Sequence, residues 1–385
     1  MRRSGRVTIA EVAETSGVGV GTVSRVINGA ANVRDATRNR VLKVIGQLGY
    51  RPSHLAAALS RGTPRTVAIV VPHLTRPAMS ARLAGALGVL DEYRYDTVVC
   101  NVATAEQRDR HLSALTKRHR ADGVIVVSLP LPAPQLTGFR RAGVPLVVVD
   151  ALARGVPQTF TDDVLGGRIA TEHLLSLGHR RIGFVGDDAL RDEDDGLGFV
   201  SSARRLTGYR RALTAAGVRY DPALVRRGPH DAATARALAA DLLGLPDPPS
   251  AIFAASDTQA LGVLMAARQA GIRVPEQLSV VGFDDVEAAS LLGLSTVRQP
   301  LEQTGAEGAR RLCALLREER IKPLRQQLAL EIVPRSSSAP FTAPEAAGAE
   351  LEPPMFVTAR QDPGRLVQPP EPLRWAAAVP VLEGR

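Results

Sequence analysis

The sequence predicts an all-α helix-turn-helix headpiece, a short helix candidate after it, two α/β lobes built on parallel sheets, and a Pro-rich tail. Three observations predict it. The stretch VTIAEVAETSGVGVGTVSRVIN (Val7 to Asn28) carries a helix-turn-helix pattern, apolar strand runs alternate twice with helical stretches from Thr66 onward, and composition shifts to Pro, Ala and Glu after Arg335.

Thr8 followed three residues later by Glu11 is a capping-box signature that starts a helix with Ile9, Val12 and Ala13 on one apolar face. Ser16-Gly17-Val18 breaks this helix, because Gly supplies the positive φ a tight turn needs. A second helix, about Val20 to Ile27, turns Val23, Val26 and Ile27 inward and leaves Val20, Gly21, Ser24 and Arg25 outward. In a helix-turn-helix the second helix enters the DNA major groove. Val20, Gly21, Ser24 and Arg25 would therefore meet base edges, and Thr8, Thr22 and Asn28 complete the candidate DNA contacts. Short amphipathic helices around a Gly also occur in proteins that never touch DNA, so charge must decide. Residues 1–65 carry eleven Arg or Lys against three acids, leaving +8 of the chain's +9 in its first sixth. A basic module on a near-neutral chain is the footprint of phosphate contact.

Asp35 to Leu48 reads as a third helix, closing the headpiece core with Val41, Val44, Ile45 and Leu48. Ser53 to Arg61, SHLAAALSR, is a helix candidate too short to be stable alone in water. Strands are expected at 66–71, 97–101, 123–127 and 145–150, with helices near 81–95, 105–118 and 135–142. The pattern repeats with strands at 181–186, 224–227, 251–256 and 279–283, and helices near 166–177, 202–215, 232–243 and 258–270. Such alternation gives parallel, doubly wound sheets, and two similar lobes argue for a clamp around a ligand.

Taken together, VTIAEVAETSGVGVGTVSRVIN, the following VRDATRNRVLKVIGQLGYRPSHLAAAL and the later LGHRRIGF segment resemble the lactose-repressor (LacI/GalR) family of bacterial transcription regulators, over about Val7 to Arg335. The resemblance implies a DNA-binding headpiece (1–52), a hinge helix and linker (53–65), and a periplasmic-binding-protein-like effector and dimerisation domain (66–335), whose lobes exchange strands near 161, 294 and 322. It implies that Leu59 wedges into the minor groove when two hinge helices pair on operator DNA, bending the duplex. It further implies that Asp150, Arg205, Ser256 and Asp284 hydrogen-bond a small-molecule effector. Asp257 reads mainly as a helix cap.

Departures from the family pattern bear on the ligand. Thr75-Arg76-Pro77-Ala78-Met79 stands where the family has an aromatic floor that stacks a sugar, Ser256 replaces an Asn, and Asp163 replaces the Asn of the D-N-x-x-G segment. These departures count against a sugar, which stays with a nucleoside among the candidate effectors; Arg76 raises an anionic ligand, with a solvated surface arginine the favoured reading. A second regulator reading is control by a phosphorylated carrier protein, and an α/β enzyme is a third.

Chemistry gives the enzyme little support. Gly17-x-Gly19-x-x-Thr22 and Gly196-x-Gly198-x-x-Ser201 imitate a dinucleotide fingerprint but lack its third Gly and its strand-turn-helix context. There is no Walker loop or G-x-S-x-G elbow, and the seven histidines show no metal-ligand spacing, with His119 and His179 read as surface residues. No cofactor is expected. Two cysteines, Cys100 and Cys313, form no disulfide framework, and no apolar run is long enough for a signal or a span, which fits a reducing cytoplasm; a homodimer is what the family resemblance implies. The segment 336–385, with Trp375, is expected to be a disordered tail lacking a tetramerising heptad repeat.

Overall fold

A computed structural model describes residues 7–27, 30, 32–50, 65–117, 120–188 and 196–342. The hinge segment with Leu59, together with Asn28, His119 and everything beyond Thr342, lies outside the described residues.

The headpiece follows its local signals. Helix α1 (Ile9–Ser16) begins on the full capping box: Glu11 N–H donates to Thr8 Oγ1 (3.4 Å), and Thr8 N–H donates to Glu11 Oε2 (2.7 Å). Gly17, at φ 65°, ends it. Helices α2 (Val20–Ile27) and α3 (Asp35–Leu48) complete a small core around Val12, Val23, Val26, Val41 and Tyr50. Arg38 braces the loop before α3 by donating to the Ala30 carbonyl (2.7 Å).

The first lobe contains β1 (Thr66–Pro72), α4 (Pro77–Glu92), β2 (Asp96–Val102), α5 (Ala105–Leu115), β3 (Gly123–Val127), α6 (Ala133–Ala142), β4 (Leu146–Val149) and β5 (Gln158–Phe160). The second contains α7 (Asp163–Ser176), β6 (Ile182–Asp187), α8 (Ser201–Ala215), β7 (Val225–Gly228), α9 (Ala232–Leu243), β8 (Ala251–Ala254), α10 (Asp257–Gln269), β9 (Ser279–Asp284), α11 (Glu287–Leu291) and β10 (Ser295–Arg298). The chain then returns to the first lobe with α12 (Leu301–Leu316) and β11 (Arg325–Gln327), and ends in the second with β12 (Glu331–Val333). The sheets run β11-β5-β4-β3-β1-β2 and β12-β10-β9-β8-β6-β7. Every pairing is parallel except β10 with β12. Central strands such as Val124–Val127 and Ile252–Ala254 are wholly buried, as sheets covered on both faces require.

Two of the three expected lobe crossings shift. The first falls at Thr161, between β5 and α7. The second lies after Arg298 rather than near Leu294, because Ser295–Arg298 still pairs with β9. The third lies between Gln327 and Glu331 rather than near Lys322, because Arg325–Gln327 pairs with β5.

The body also extends past Arg335. Val280 N–H donates to the Ser337 carbonyl (2.7 Å), Ser337 N–H to that of Gly293 (3.0 Å), and Phe341 N–H to that of Leu177 (2.7 Å). His179 is buried, contrary to its reading as a surface residue. Its ring meets the Ser250 and Ser279 hydroxyls at 2.9 and 3.0 Å and the Ala339 carbonyl at 3.1 Å, so it clasps this terminal segment to the second lobe.

Gly208 decides how α7 and α8 cross. A Cβ there would collide with the Val164 carbonyl, so only Gly allows backbones this close. That approach brings Arg205 of α8 onto Asp163 at the start of α7.

Candidate functional site

A cavity of about 160 Å³ lies between the lobes at the carboxyl ends of their strands. Asp150, Arg205 and Asp284 line it, with Arg76, Arg82, Ser128, Asp163, Asp187, Phe199, Arg204, His230 and Gln299. Three of its strand-end residues, Ser128 (φ 51°), Asp150 (φ 56°) and Asp284 (φ 118°), hold left-handed backbone conformations. Strain of this kind persists where surrounding contacts enforce it, and it concentrates at ligand sites.

The first-lobe wall is built on Asp150. Ser128 donates to Asp150 Oδ2 (2.7 Å), and Arg82, which is fully buried, forms an ion pair with the same oxygen at 2.9 Å. Gln299 links the walls: its Oε1 accepts from Arg82 (3.0 Å) and Thr161 (2.8 Å), while its Nε2 donates to Asp284 Oδ1 (2.6 Å). Gln299 lies on the second lobe crossing, so this network sits where the chain passes between the lobes.

The second-lobe wall is built on Arg205. Its guanidinium pairs with Asp163 (2.9 Å), approaches Asp284 (3.9 Å), donates to the Ala255 carbonyl and stacks 3.7 Å above the Phe283 ring. Burial pushes the Asp163 carboxyl up to about 6 against the pull of Arg205, and burial likewise raises Asp284. Alongside, Asp187 accepts from Gln259 (2.8 Å) and meets His230 Nδ1 at 3.0 Å. Burial would raise Asp187, but the hydrogen bond and charge of His230 carry it below the usual carboxylate range.

Ser256 is not part of this lining. Its hydroxyl is buried as the N-cap of α10, accepting from Gln259 N–H (3.2 Å). Asp257, read as a cap, instead accepts from Val286 N–H (2.9 Å) and the Thr296 hydroxyl (2.6 Å), tying α10 to the loop after β9 and to β10. The aromatic surface missing from residues 75–79 comes from elsewhere, through Phe199. Arg82, Phe199, His230 and Gln299 had no motif to mark them; Arg82 and Gln299 matter only once the lobes are assembled.

On the headpiece, Val20, Gly21 and Arg25 are exposed on α2, Thr22 and Ser24 are half-buried, and Thr8 is exposed at the start of α1. An added Cβ on Gly21 would lie 3.9 Å from Arg25 Nη2, an ordinary contact, so Gly21 and Arg25 neighbour each other on that face. Among the described residues no His, Cys, Asp and Glu group could hold a metal, and no helix is long and apolar enough to cross a membrane.

Comparison with known proteins agrees with this division. Residues 8–53 match the model of bacterial regulatory proteins of the lacI family, and residues 171–338 match a periplasmic binding protein-like domain. The HTH-type transcriptional regulator CelR of Thermobifida fusca is 36% identical over 349 residues, covering 88% of this chain and all of the relative. The HTH-type transcriptional repressor PurR of Vibrio atlanticus is 29% identical over 86% of this chain and 98% of its own length. Among solved structures, a CelR–cellobiose complex superposes with a TM-score of 0.64 at 35% identity, covering 86% of this chain and all of that one. A lac repressor dimer bound to operator and an anti-inducer gives 0.74 at 28% identity, covering 87% of this chain and all of that one.

A helix-turn-helix headpiece joined to a two-lobed binding domain defines a DNA-binding transcriptional regulator, not an enzyme. The chain belongs to the LacI family.

Proposed function

We propose that the chain is a cytoplasmic repressor that binds a near-palindromic operator as a homodimer, and that a neutral sugar in the interlobe cleft controls it. One observation carries the choice of ligand. The cleft's buried cations are already committed to carboxylates, Arg82 to Asp150 and Arg205 to Asp163, so the wall offers hydrogen-bond donors and acceptors with little net charge. Hydroxyl groups, which donate and accept, match such a wall; an anion would have to compete with the resident carboxylates. Phe199 supplies an aromatic surface, and the solved CelR complex holds cellobiose. A concave, small-molecule-sized cavity also favours this over docking of a phosphorylated carrier protein.

Titration of the full chain with cellobiose, glucose, adenosine and glucose 6-phosphate, followed by thermal shift and calorimetry, tests the reading. A sugar is expected to raise the melting temperature and change operator affinity. A response confined to adenosine or the sugar phosphate would defeat it, and a gain in DNA affinity only with a phosphorylated carrier protein would favour the other regulator.

On DNA, α2 is proposed to enter the major groove with Val20, Gly21, Thr22, Ser24 and Arg25 toward the bases, and Asn28 and Leu59 keep their proposed roles as a headpiece contact and a minor-groove wedge. Arg25→Ala is expected to weaken operator binding by about 1–3 kcal/mol, the range for a good base contact. Equal losses on operator and random DNA would make Arg25 a phosphate contact, and no loss on either would refute this docking.

A further inference from the structure

The Gly196-Leu197-Gly198 segment, an incomplete dinucleotide fingerprint, takes a distinct position in the structure. The segment leads directly into α8 of the second lobe, but Leu197 is fully buried in the hydrophobic core of the first, with Val102, Leu112 and Leu129. Gly196 and Gly198 hold φ of 59° and 73°, conformations that other residues rarely adopt, and they turn the chain either side of Leu197. An added Cβ at these glycines would lie 3.2 Å from Ala105 and 3.4 Å from Pro130, so the segment runs close against the first lobe. Arg108 of α5 donates to the Leu197 carbonyl (3.4 Å).

Two residues on, Phe199 lines the cleft. First-lobe groups hold its ring: the Arg76 guanidinium lies 5.6 Å from the ring centroid, and the His73 ring 5.9 Å. Ser201 then opens α8, which carries Arg205. The polypeptide therefore spans from the core of one lobe to the cleft wall of the other within five residues.

We infer that Gly196–Val200 is an interlobe latch: Leu197 plugs into the first lobe to hold the cleft closed, and Phe199 is thereby presented to the effector as a specificity-determining ring face. Four residues reach at most about 14 Å, so wide separation of the lobes must draw Leu197 out of its pocket. Because opening exposes a leucine that closure buries, this burial biases the closed-to-open ratio by roughly tenfold to a hundredfold toward the closed state. The latch thus favours the closed state before any effector arrives. An effector that seats against Phe199 adds to that preference, because it binds the state in which the ring is in place.

The latch rests on the sugar reading only for the identity of the probe. Phe199→Trp in a Trp375→Phe background places one indole at the site of the ring in the full chain. Its emission without ligand reports whether the site is closed, and cellobiose affinity is measured in parallel by calorimetry with and without Leu197→Ser. The expected result is a red-shifted indole in the Leu197→Ser variant without sugar, and a cellobiose affinity about tenfold weaker, since apparent affinity scales with the competent fraction. Phe199→Ala should weaken cellobiose binding while leaving the latch in place. Circular dichroism checks folding first, and Leu197→Ala carries the test if the serine variant loses structure. Unchanged emission in the folded Leu197 variant overturns the latch, whether or not cellobiose binds. Unchanged cellobiose affinity in Phe199→Ala overturns the role of the ring. Failure of cellobiose to bind the wild-type chain counts against the sugar reading alone, because the ligand-free emission still decides on the latch.

Discussion

Arg205→Met is expected to destabilise the second lobe by about 3–5 kcal/mol, the range for removing one member of a buried ion pair. Arg205 is buried against Asp163 and Asp284, and its pull on each exceeds that of Arg204 on Asp163 or of Arg82 and His230 on Asp284. Without it both must take up protons or stay charged away from water, and burial already raises each of them. Methionine fills part of the volume over the Phe283 ring, so packing accounts for little of the loss. Lysine should not restore stability, because a point charge cannot pair with Asp163, donate to Ala255 and stack on Phe283 in one orientation. Denaturant unfolding measures the cost, and sugar titration should show no shift in operator affinity. A loss below about 1 kcal/mol would mean that the carboxyls hold protons in the wild type and that Arg205 is dispensable to the fold.

Elements whose evidence is local were legible in the sequence. Thr8 with Glu11, Gly17, and the apolar spacing of α1 to α3 each carry a short-range signal, and all appear where those signals place them. The strands of the two sheet centres were legible for the same reason, as short apolar runs between turns. The return crossings were not. Leu301–Leu316 buries Leu301, Gly305, Ala309 and Leu312 at helical spacing, a pattern open to reading, but nothing in it says that the helix packs on the first lobe. Ser336–Thr342 has the composition of a linker, and only pairing with residues far back in the chain makes it structured.

The cleft divides along the same line. Asp150 and Asp284 close strands, and strand ends of open sheets face the ligand crevice, so their position supported what the family resemblance implied for them. Ser256 also follows a strand end, but its hydroxyl is used by α10. Arg82 sits mid-helix, and Phe199 follows a Gly-rich loop; each gains meaning from a partner more than twenty residues away. Composition cannot report such a pairing.

Asp257 governs the other large expected effect, on stability as a function of pH. Burial, reinforced by the neighbouring Asp284 carboxylate, lifts its carboxyl to about 7 despite the hydrogen bonds from Thr296 and Val286, against 3.8 for the unperturbed group. The folded chain therefore binds a proton here that the unfolded chain has released, and stability falls as pH rises between those values. The slope from this group alone reaches about 1.4 kcal/mol per pH unit. Asp163 and Asp284 act in the same direction, their folded values also being raised. Asp187, lowered by His230, and the half-buried His173 and buried His179, lowered chiefly by desolvation, act in the opposite direction. The contribution of Asp257 is therefore read as a difference between wild type and Asp257→Asn. Asn reproduces the protonated acid: its oxygen accepts from Val286 N–H and its amide donates to the Thr296 hydroxyl. The variant should gain on the wild type steadily between about pH 4 and pH 7, as the linkage slope requires, and hold a constant lead above that range. Val286 lines the cleft, so the same titration should loosen the loop beside the effector at alkaline pH. Stability curves that run parallel from acid to neutral pH would show that Asp257 is ionised in the folded chain, with its charge met by Thr296 and Val286 alone.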